Sequence, residues 1–267
     1  MQLQDIYIYP IKSLGGIRRT NETALQRGFK FDRRWMLVDE MGKFITQRVE
    51  HKLALLRTEI SPDKIYISNK IFPDQGTEIA INQLSDTTLK VSIWDDTTIV
   101  NHLNENLDLW FSKFLGKPCK LVYMPENGLR AVDKRFAMNN EQLSFADAFP
   151  YMLICQASLD DLNTRLTEPV GMDRFRPNLV ISGTKAYEED LWSEIKIGNI
   201  YFKVAKPCSR CILTTVDQDT GIKGKEPLYT LAKYRTINNK VMFGQNLIAM
   251  NEGKISVNDT VEIISYR

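Results

Sequence analysis

Short β-rich runs follow one another at close intervals through the first half of the chain. Polar turns separate them, and few of the runs exceed seven residues. Many short strands joined by polar turns are typical of a sheet that closes on itself or packs against a second sheet. The clearest runs cover residues 3–9, 54–60, 64–68, 77–81, 88–95 and 97–101. We therefore expect a mainly β fold.

One segment departs from this pattern and predicts an α-helix over residues 104–115. Gly116 can end the helix in the left-handed conformation, and Pro118 cannot continue it. Two shorter helices are expected near residues 158–166 and 226–235. The apolar side chains of the first segment recur at helical spacing, at Leu107, Trp110, Phe111, Phe114 and Leu115. The predicted fold class is thus mainly β with a few helices (α+β).

The overall composition is that of an ordinary globular protein, with 267 residues, 43% hydrophobic and 25% charged. The net charge of +2 gives no strong basic field, so we expect neither nucleic acid nor a membrane as a partner. The N-terminus enters a strand directly and shows no signal peptide. Four cysteines are too few for a disulfide scaffold in a chain this long, so we expect a cytoplasmic protein.

Two of these cysteines, Cys208 and Cys211, lie three positions apart between predicted strands at residues 195–206 and 212–216. The spacing admits four interpretations. The pair could bind structural zinc, act as a thioredoxin-like redox pair, or fill the core as small apolar side chains. Alternatively, one thiolate could be a soft ligand for the metal of a cofactor.

The surrounding sequence weakens the first two interpretations. Zinc needs about four ligands, but Cys119 and Cys155 stand alone and the two histidines, His51 and His102, have no ligand spacing. A redox pair should open a helix, whereas residues 212–216 are β-rich. Under the cofactor interpretation, the intervening Arg210 would hold anionic groups and help to keep the sulfur ionised.

Several polar residues stand at the ends of predicted strands, where they can reach a ligand. Lys12 and Ser13 follow the first strand beside paired glycines and suit an anion such as phosphate. Arg33 and Arg176 each precede an apolar strand, and arginine avoids burial unless it is paired. Asp147, also ahead of an apolar run, either forms a turn or accepts a hydrogen bond from a polar ligand.

Five motifs in this order resemble those of MOSC-domain proteins, in particular the family of mitochondrial amidoxime reducing components and their bacterial counterparts. The resemblance covers essentially the whole chain, and the cysteine motif is its most specific part. The motifs are YPIKS (9–13), DRRW (32–35), RFRPN (174–178), CSRCILTTVD (208–217) and FGQ (243–245).

The resemblance implies the fold, the domains and the cofactor. A β-rich domain of the MOSC N-terminal type would occupy residues 1–120, and a MOSC β-barrel domain carrying the cysteine ligand would occupy residues 121–267. Between them the family binds a molybdenum cofactor, Mo-molybdopterin.

The resemblance also implies the site residues. Cys211 would be the catalytic thiolate and the protein ligand of molybdenum. Ala148 and Phe149 replace small hydroxyl residues of the relatives, so contacts there would come from the main chain, and Asn246 replaces an aromatic residue. The cofactor-binding residues would be Lys12, Ser13, Arg33, Asp147, Ala148, Phe149, Arg176, Asn178, Ser209, Arg210 and Asn246.

The implied activity is a molybdenum-dependent, pyridoxal phosphate-independent reduction of N-hydroxylated compounds: amidoximes, hydroxylamines and N-hydroxylated bases. No cysteine follows Cys211, so the chain has no set for an iron–sulfur cluster. We therefore expect a separate electron donor, of the ferredoxin, flavodoxin-like or cytochrome type. The alternative function is a carrier that either holds the molybdenum cofactor or transfers sulfur through a persulfide on Cys211.

Overall fold

Strands dominate the chain, as its β-rich runs predict. The structure is a computed structural model that describes residues 1–82 and 85–267. Within these residues there are nineteen strands: β1 Gln2–Ile8, β2 Ile17–Arg19, β3 Asn21–Leu25, β4 Gly28–Phe29, β5 Trp35–Val38, β6 Leu56–Ile60, β7 Lys64–Asn69, β8 Gly76–Ala80, β9 Thr88–Ile93, β10 Asp96–His102, β11 Lys120–Tyr123, β12 Tyr151–Cys155, β13 Leu179–Ser182, β14 Trp192–Ile197, β15 Ile200–Arg210, β16 Thr236–Ile237, β17 Lys240–Ala249, β18 Gly253–Ser256 and β19 Val261–Tyr266.

The helices are few and short. The α-helices are α1 Glu105–Leu115, α2 Gln156–Asn163 and α3 Leu228–Ala232, and the 3-10 helices are His51–Leu55, Met172–Arg174, Glu188–Leu191 and Ile212–Thr215. The predicted class, mainly β with a few helices, is confirmed. Across the described residues, no helix combines the length and the apolar character that a membrane crossing requires.

The largest sheet brings the functional motifs to neighbouring strands. Its order is β19-β14-β15-β17-β12-β13-β1-β2, with β16 paired to β17. Strand β1 runs antiparallel to β13, and β13 runs parallel to β12. The end of β1 therefore lies beside the beginnings of β13 and β12. The loops that carry YPIKS and RFRPN thus meet there with the loop that carries Asp147.

Three smaller sheets complete the fold, in the orders β5-β11-β10-β9, β18-β3-β4 and β6-β7-β8. The halves of the chain exchange strands, because β1 pairs with β13 and β3 pairs with β18. Strand β11, at the predicted boundary, pairs with β5 and β10 of the first half. The division into residues 1–120 and 121–267 stays a prediction.

Two buried clusters of apolar side chains hold these layers together. One lies against the large sheet and includes Trp192, Tyr151 and Phe202, all fully buried. The other packs Phe111 of α1 against Trp35 of β5 and its neighbours. Burying side chains of this size stabilises a fold by about 1.5–3 kcal/mol each. Both clusters anchor strands whose ends carry motif residues.

Helix α1 forms as its sequence predicts. The Asn104 side chain accepts a hydrogen bond from the backbone N–H of Leu107 at 2.9 Å, which caps the first turn. Gly116 ends the helix with φ 71°, a left-handed conformation that glycine adopts without strain. Phe111 and Leu115 face the core, as the helical spacing indicates.

The prediction of a strand over residues 212–216 is wrong. Residues 212–215 form a 3-10 helix directly after β15. The hydroxyl of Thr214 donates to the carbonyl oxygen of Cys211 at 3.0 Å, and that of Thr215 to the carbonyl oxygen of Ile212 at 2.8 Å. These local bonds outweigh the β preference of the threonines. Cys211 thus lies at the corner where the chain leaves the sheet.

Candidate functional site

A cleft of about 460 Å³ lies where the motif-bearing loops meet. All twelve residues that the family resemblance singles out line it, although they come from six separate parts of the chain. The structure therefore brings the predicted site residues together; their role in binding a cofactor stays a prediction. They are Lys12, Ser13, Arg33, Asp147, Ala148, Phe149, Arg176, Asn178, Ser209, Arg210, Cys211 and Asn246.

The lining of the cleft is strongly basic. One carboxylate, that of Asp147, faces seven cationic side chains: Lys12, Arg33, Arg48, Arg174, Arg176, Lys206 and Arg210. A concave surface with this excess of positive charge attracts anions. The chain as a whole carries a net charge of only +2, so the cleft concentrates a charge that composition alone does not reveal.

Asp147 joins the two sides of the cleft. Its carboxylate accepts hydrogen bonds from Lys12 Nζ and Arg48 Nη2, each at 2.5 Å, and from Trp94 Nε1 at 3.3 Å. Burial would raise the pKa of Asp147, but the adjacent charges of Lys12 and Arg48 outweigh it and hold the pKa well below its usual range. Asp147 is therefore ionised and already paired by the protein's own cations.

Lys12 is buried beneath this carboxylate. Its ammonium also donates to the backbone carbonyl of Phe145 at 2.6 Å. Burial lowers the pKa of Lys12 to about 8, against the opposing attraction of Asp147. Lys12 therefore keeps its charge at neutral pH and loses it at moderately alkaline pH.

A buried arginine outside the motifs, Arg130, shapes the loop that presents Asp147. Its guanidinium donates to the backbone carbonyl oxygens of Ser144, Ala146 and Asp147, and it pairs with the Asp96 carboxylate at 2.7 Å. These bonds satisfy carbonyl groups that a loop would otherwise leave without partners. The hydrogen bonds of Arg130 therefore hold the loop before β12 in place.

Cys211 exposes its side chain to the cleft and receives a hydrogen bond from an unexpected residue. The Nε atom of Arg48 lies 3.2 Å from the Sγ atom of Cys211. The guanidinium of Arg48 also packs over the ring of Trp94, 4.5 Å from its centroid. Arg48 therefore links the sulfur to Asp147 with a fixed geometry.

Arg210 makes its hydrogen bonds to other partners than the Cys211 sulfur, and its expected help in keeping that sulfur ionised stays a prediction. The Arg210 guanidinium donates to the carbonyl oxygens of Phe243 at 2.8 Å and Phe175 at 2.9 Å, and lies 3.0 Å from the sulfur of Met152. Its donors are therefore used to tie β15 to neighbouring segments. The Arg210 side chain thus lines the cleft without donating a hydrogen bond to the Cys211 sulfur among the described residues.

Arg33 and Arg176 form another part of the cleft wall. Both residues have left-handed backbones, with φ of 49° and 56°. Ser13 shares this conformation, with φ 71°. Left-handed backbone at residues other than glycine is strained, and it clusters at functional sites. Asn178 accepts a hydrogen bond from Arg33 Nη1 at 3.1 Å and donates one to the Tyr7 carbonyl oxygen at 3.1 Å, which joins this wall to β1.

Arg176 is a buried cation that lacks a hydrogen-bond acceptor among residues 1–82 and 85–267. Burial lowers the pKa of Arg176 to about 10, partly offset by the neighbouring Tyr9. A buried guanidinium without an acceptor is unfavourable. The cleft therefore presents at least one donor group that a bound anion would satisfy.

The two motif cysteines differ in environment. Cys211 is exposed, whereas Cys208 packs against the apolar cluster around Phe243, and burial raises the pKa of Cys208. Both are free thiols. Within the described part of the chain, no group of three or more His, Cys, Asp or Glu side chains could hold a metal ion by itself. The structure thus offers no support for the zinc interpretation.

Four residues in or beside this cleft could not be identified from the sequence alone: Arg48, Trp94, Arg130 and Lys206. Lys206 lies over the rings of Phe136 and Phe149, 4.9 and 5.1 Å from their centroids. None of the four stands in a recognisable motif, although Lys206 lies two positions before the cysteine motif. Their positions follow from strand pairing and loop paths across the fold, so no local signal identifies them.

Comparison with known proteins agrees with the motifs. The family model for the MOSC N-terminal beta barrel domain matches residues 1–118, and the model for the MOSC domain matches residues 140–262. The YUAD protein from Bacillus subtilis, a solved structure, covers 97% of this chain with 93% of its own, at 9% identity and a TM-score of 0.42. That similarity is too low to support an inference.

Two relatives are similar in sequence over nearly the whole chain. Mitochondrial amidoxime-reducing component 1 of Mus musculus is 34% identical, over 97% of this chain and 81% of that protein. Molybdenum cofactor sulfurase of Oryza sativa subsp. japonica is 32% identical over 91% of this chain, which spans only 32% of the length of that enzyme. This chain belongs to the MOSC family, in the group that includes the mitochondrial amidoxime-reducing components.

Proposed function

We propose that the cleft binds a molybdenum cofactor of the molybdopterin type, that Cys211 is its protein ligand, and that the protein reduces N-hydroxylated compounds. The observation that carries the proposal is the exposed Cys211 thiol in a cleft lined by seven basic side chains. The name of the mouse relative, an amidoxime-reducing component, supports the choice of substrate class: amidoximes, hydroxylamines and N-hydroxylated bases.

The residues present fit such a group. Molybdopterin carries a phosphate, and the acceptor-free Arg176 and the buried Lys12 are suited to hold it together with Ser13 and Arg33. Cys211 belongs to no group of three or more His, Cys, Asp or Glu side chains in the described part of the chain, which fits a metal whose other ligands come with the cofactor. When bound, the group supplies a metal that accepts the substrate oxygen and passes two electrons.

The other residues that line the cleft would hold the cofactor and orient it. Arg48 keeps the Cys211 sulfur aimed into the cleft. Ser209 and Asn246 offer polar side chains to a pterin ring, and Ala148 and Phe149 offer their main chain. Asn178 lines the cleft and orients Arg33. Arg210 acts through its backbone, since its side-chain donors are occupied. The protein would therefore contribute positively charged walls to the cofactor site, together with a sulfur atom held in a fixed orientation.

The electron donor in this proposal is a separate protein, of the ferredoxin, flavodoxin-like or cytochrome type. The four cysteines are all free thiols, and Cys119 and Cys155 are buried, so they are not available to hold a redox cluster. Free thiols are also typical of a reducing, cytoplasmic setting.

The experiment is molybdenum and pterin analysis of protein made in a host that synthesises molybdopterin, followed by reduction of benzamidoxime with a chemical electron donor. We expect close to one molybdenum and one pterin per chain, and formation of benzamidine. Protein that carries no molybdenum but bears a persulfide on Cys211 would overturn this function and favour the sulfur carrier. Bound cofactor without turnover of benzamidoxime, hydroxylamine or an N-hydroxylated base would favour a cofactor carrier.

A further inference from the structure

Tyr9 lies at the centre of the basic wall that holds Arg33 and Arg176. Its ring has one guanidinium 4.2 Å and the other 4.3 Å from the centroid. Tyr9 is buried, and burial raises the pKa of Tyr9 far above its ordinary value even with two cations beside it. The ring is therefore neutral and offers its electron-rich faces to both arginines.

Tyr9 also fixes the backbone of both arginine segments. Its carbonyl oxygen accepts a hydrogen bond from the N–H of Arg33 at 2.8 Å, and its own N–H donates to the Asp32 carboxylate at 2.8 Å. Its hydroxyl donates to the carbonyl oxygen of Pro177, next to Arg176, at 3.1 Å. One residue thus bonds to the two strained, left-handed segments that carry the cations.

Gly16 leaves the space that the ring of Tyr9 occupies. A Cβ atom at position 16 would collide with Cε1 of Tyr9 and would lie 2.9 Å from Cδ1. Carbon atoms in contact are ordinarily about 3.5–4.0 Å apart, so any side chain here would displace the ring. Gly16, one of the paired glycines after the first strand, therefore lacks a side chain where the ring of Tyr9 needs the space.

We propose that Tyr9 is a positioning residue that holds the guanidinium groups of Arg33 and Arg176 ready for a phosphate-class anion. Two cations that approach one ligand repel each other while the site is empty. Stacking on a shared ring offsets part of that repulsion, and the Asp32 carboxylate, 2.6 Å from Arg33 Nη1, offsets another part. The backbone bonds keep both side chains in place before the anion arrives. The proposal deepens the proposed function, because the cofactor carries such an anion, yet it concerns the metal-free protein.

The test measures binding of inorganic pyrophosphate to the full-length, metal-free protein by calorimetry. Tyr9→Leu removes the ring, and we expect affinity to fall about tenfold, the size of two lost cation–ring contacts. Tyr9→Phe keeps the ring and loses only the hydroxyl, so its affinity should stay within about threefold of the unchanged protein. Gly16→Ala displaces the ring without touching either arginine and should reproduce the loss seen with Tyr9→Leu.

Gly224→Ala is the matched control. A Cβ atom there meets no atom closer than 3.8 Å, so affinity should not change.

Thermal unfolding of each variant separates loss of fold from loss of binding. If Tyr9→Leu does not fold, the comparison of Gly16→Ala with Tyr9→Phe tests the proposal instead. The proposal is overturned if a folded Tyr9→Leu or Gly16→Ala variant binds as tightly as the unchanged protein. Equal weakening by Tyr9→Phe and Tyr9→Leu, or no binding by the unchanged protein, also overturns it. Because pyrophosphate binding is measured without molybdenum, the result for Tyr9 does not depend on whether the protein is a reductase.

Discussion

The guanidinium of Arg48 hydrogen-bonds to the sulfur of Cys211 with a separation of 3.2 Å, although the two residues are 163 positions apart in the sequence. The same guanidinium binds Asp147 and covers Trp94. Arg48 therefore couples the one exposed cysteine of the site to the carboxylate at its centre. A hydrogen bond to a charged group contributes about 1.5–3 kcal/mol, enough to fix the orientation of the sulfur.

Replacing Arg48 by methionine should lower the amount of molybdenum retained per chain by about tenfold. The variant removes the donor to Cys211 and one of the two cations on Asp147, which leaves the carboxylate free to repel an anionic ligand. Metal content after production in a molybdopterin-making host is the measurement. Arg57→Met, at an exposed arginine paired only with Glu59, is the control and should retain the metal. Equal retention by the Arg48 variant would show that the contact has no role in loading.

Cys211→Ser should abolish molybdenum binding, whereas Cys208→Ser should be tolerated. Cys211 is exposed in the cleft, whereas Cys208 is partly buried and packs against apolar side chains. Exchanging a half-buried thiol for a hydroxyl costs about 1 kcal/mol of stability, which a folded protein tolerates. Metal analysis of both purified variants makes the comparison. Loss of metal in both variants alike would instead point to a pair that works through a disulfide.

The free energy of unfolding should rise between pH 8 and 10.5 relative to that of a Lys12→Met variant. Burial lowers the pKa of Lys12 to about 8 in the folded protein, from an ordinary value of 10.5, so in this interval the unfolded chain binds more protons. The burial penalty is fully present below pH 8 and is relieved above it, by at most about 3 kcal/mol. Urea unfolding at pH 7.5 and 10 measures the difference. Lys254→Met, at an exposed lysine of β18, should show no such trend, and a flat difference for Lys12 would contradict the shifted pKa.

Arg176→Gly should make the protein more stable and its cleft weaker at binding anions. The substitution relieves a left-handed backbone at φ 56° and the desolvation of a buried cation, which together should add about 1 kcal/mol to the free energy of unfolding. Pyrophosphate affinity should fall at least about tenfold, since a direct charge contact is lost. Asn258→Gly, which relieves a similar φ of 73° away from the cleft, should gain stability and bind unchanged. A destabilised Arg176→Gly would show that the guanidinium packs favourably without a ligand.

Much of the fold and part of the site can be predicted from local sequence. The end of α1 at Gly116 depends on the backbone preferences of a few adjacent residues, so it forms as the sequence indicates. The motifs likewise mark Lys12 and Cys211, which line one cleft.

The tertiary structure alone decides which charges meet. It places Arg48, not the adjacent Arg210, on the sulfur, and it puts Tyr9 between two arginines of distant segments. The physical reason is range: torsional preferences and caps act over a few residues, whereas contacts between side chains depend on strand order and on where each loop crosses the sheet. The sequence by itself therefore determines which groups can do the chemistry, and the pairing of strands determines which of them stand together.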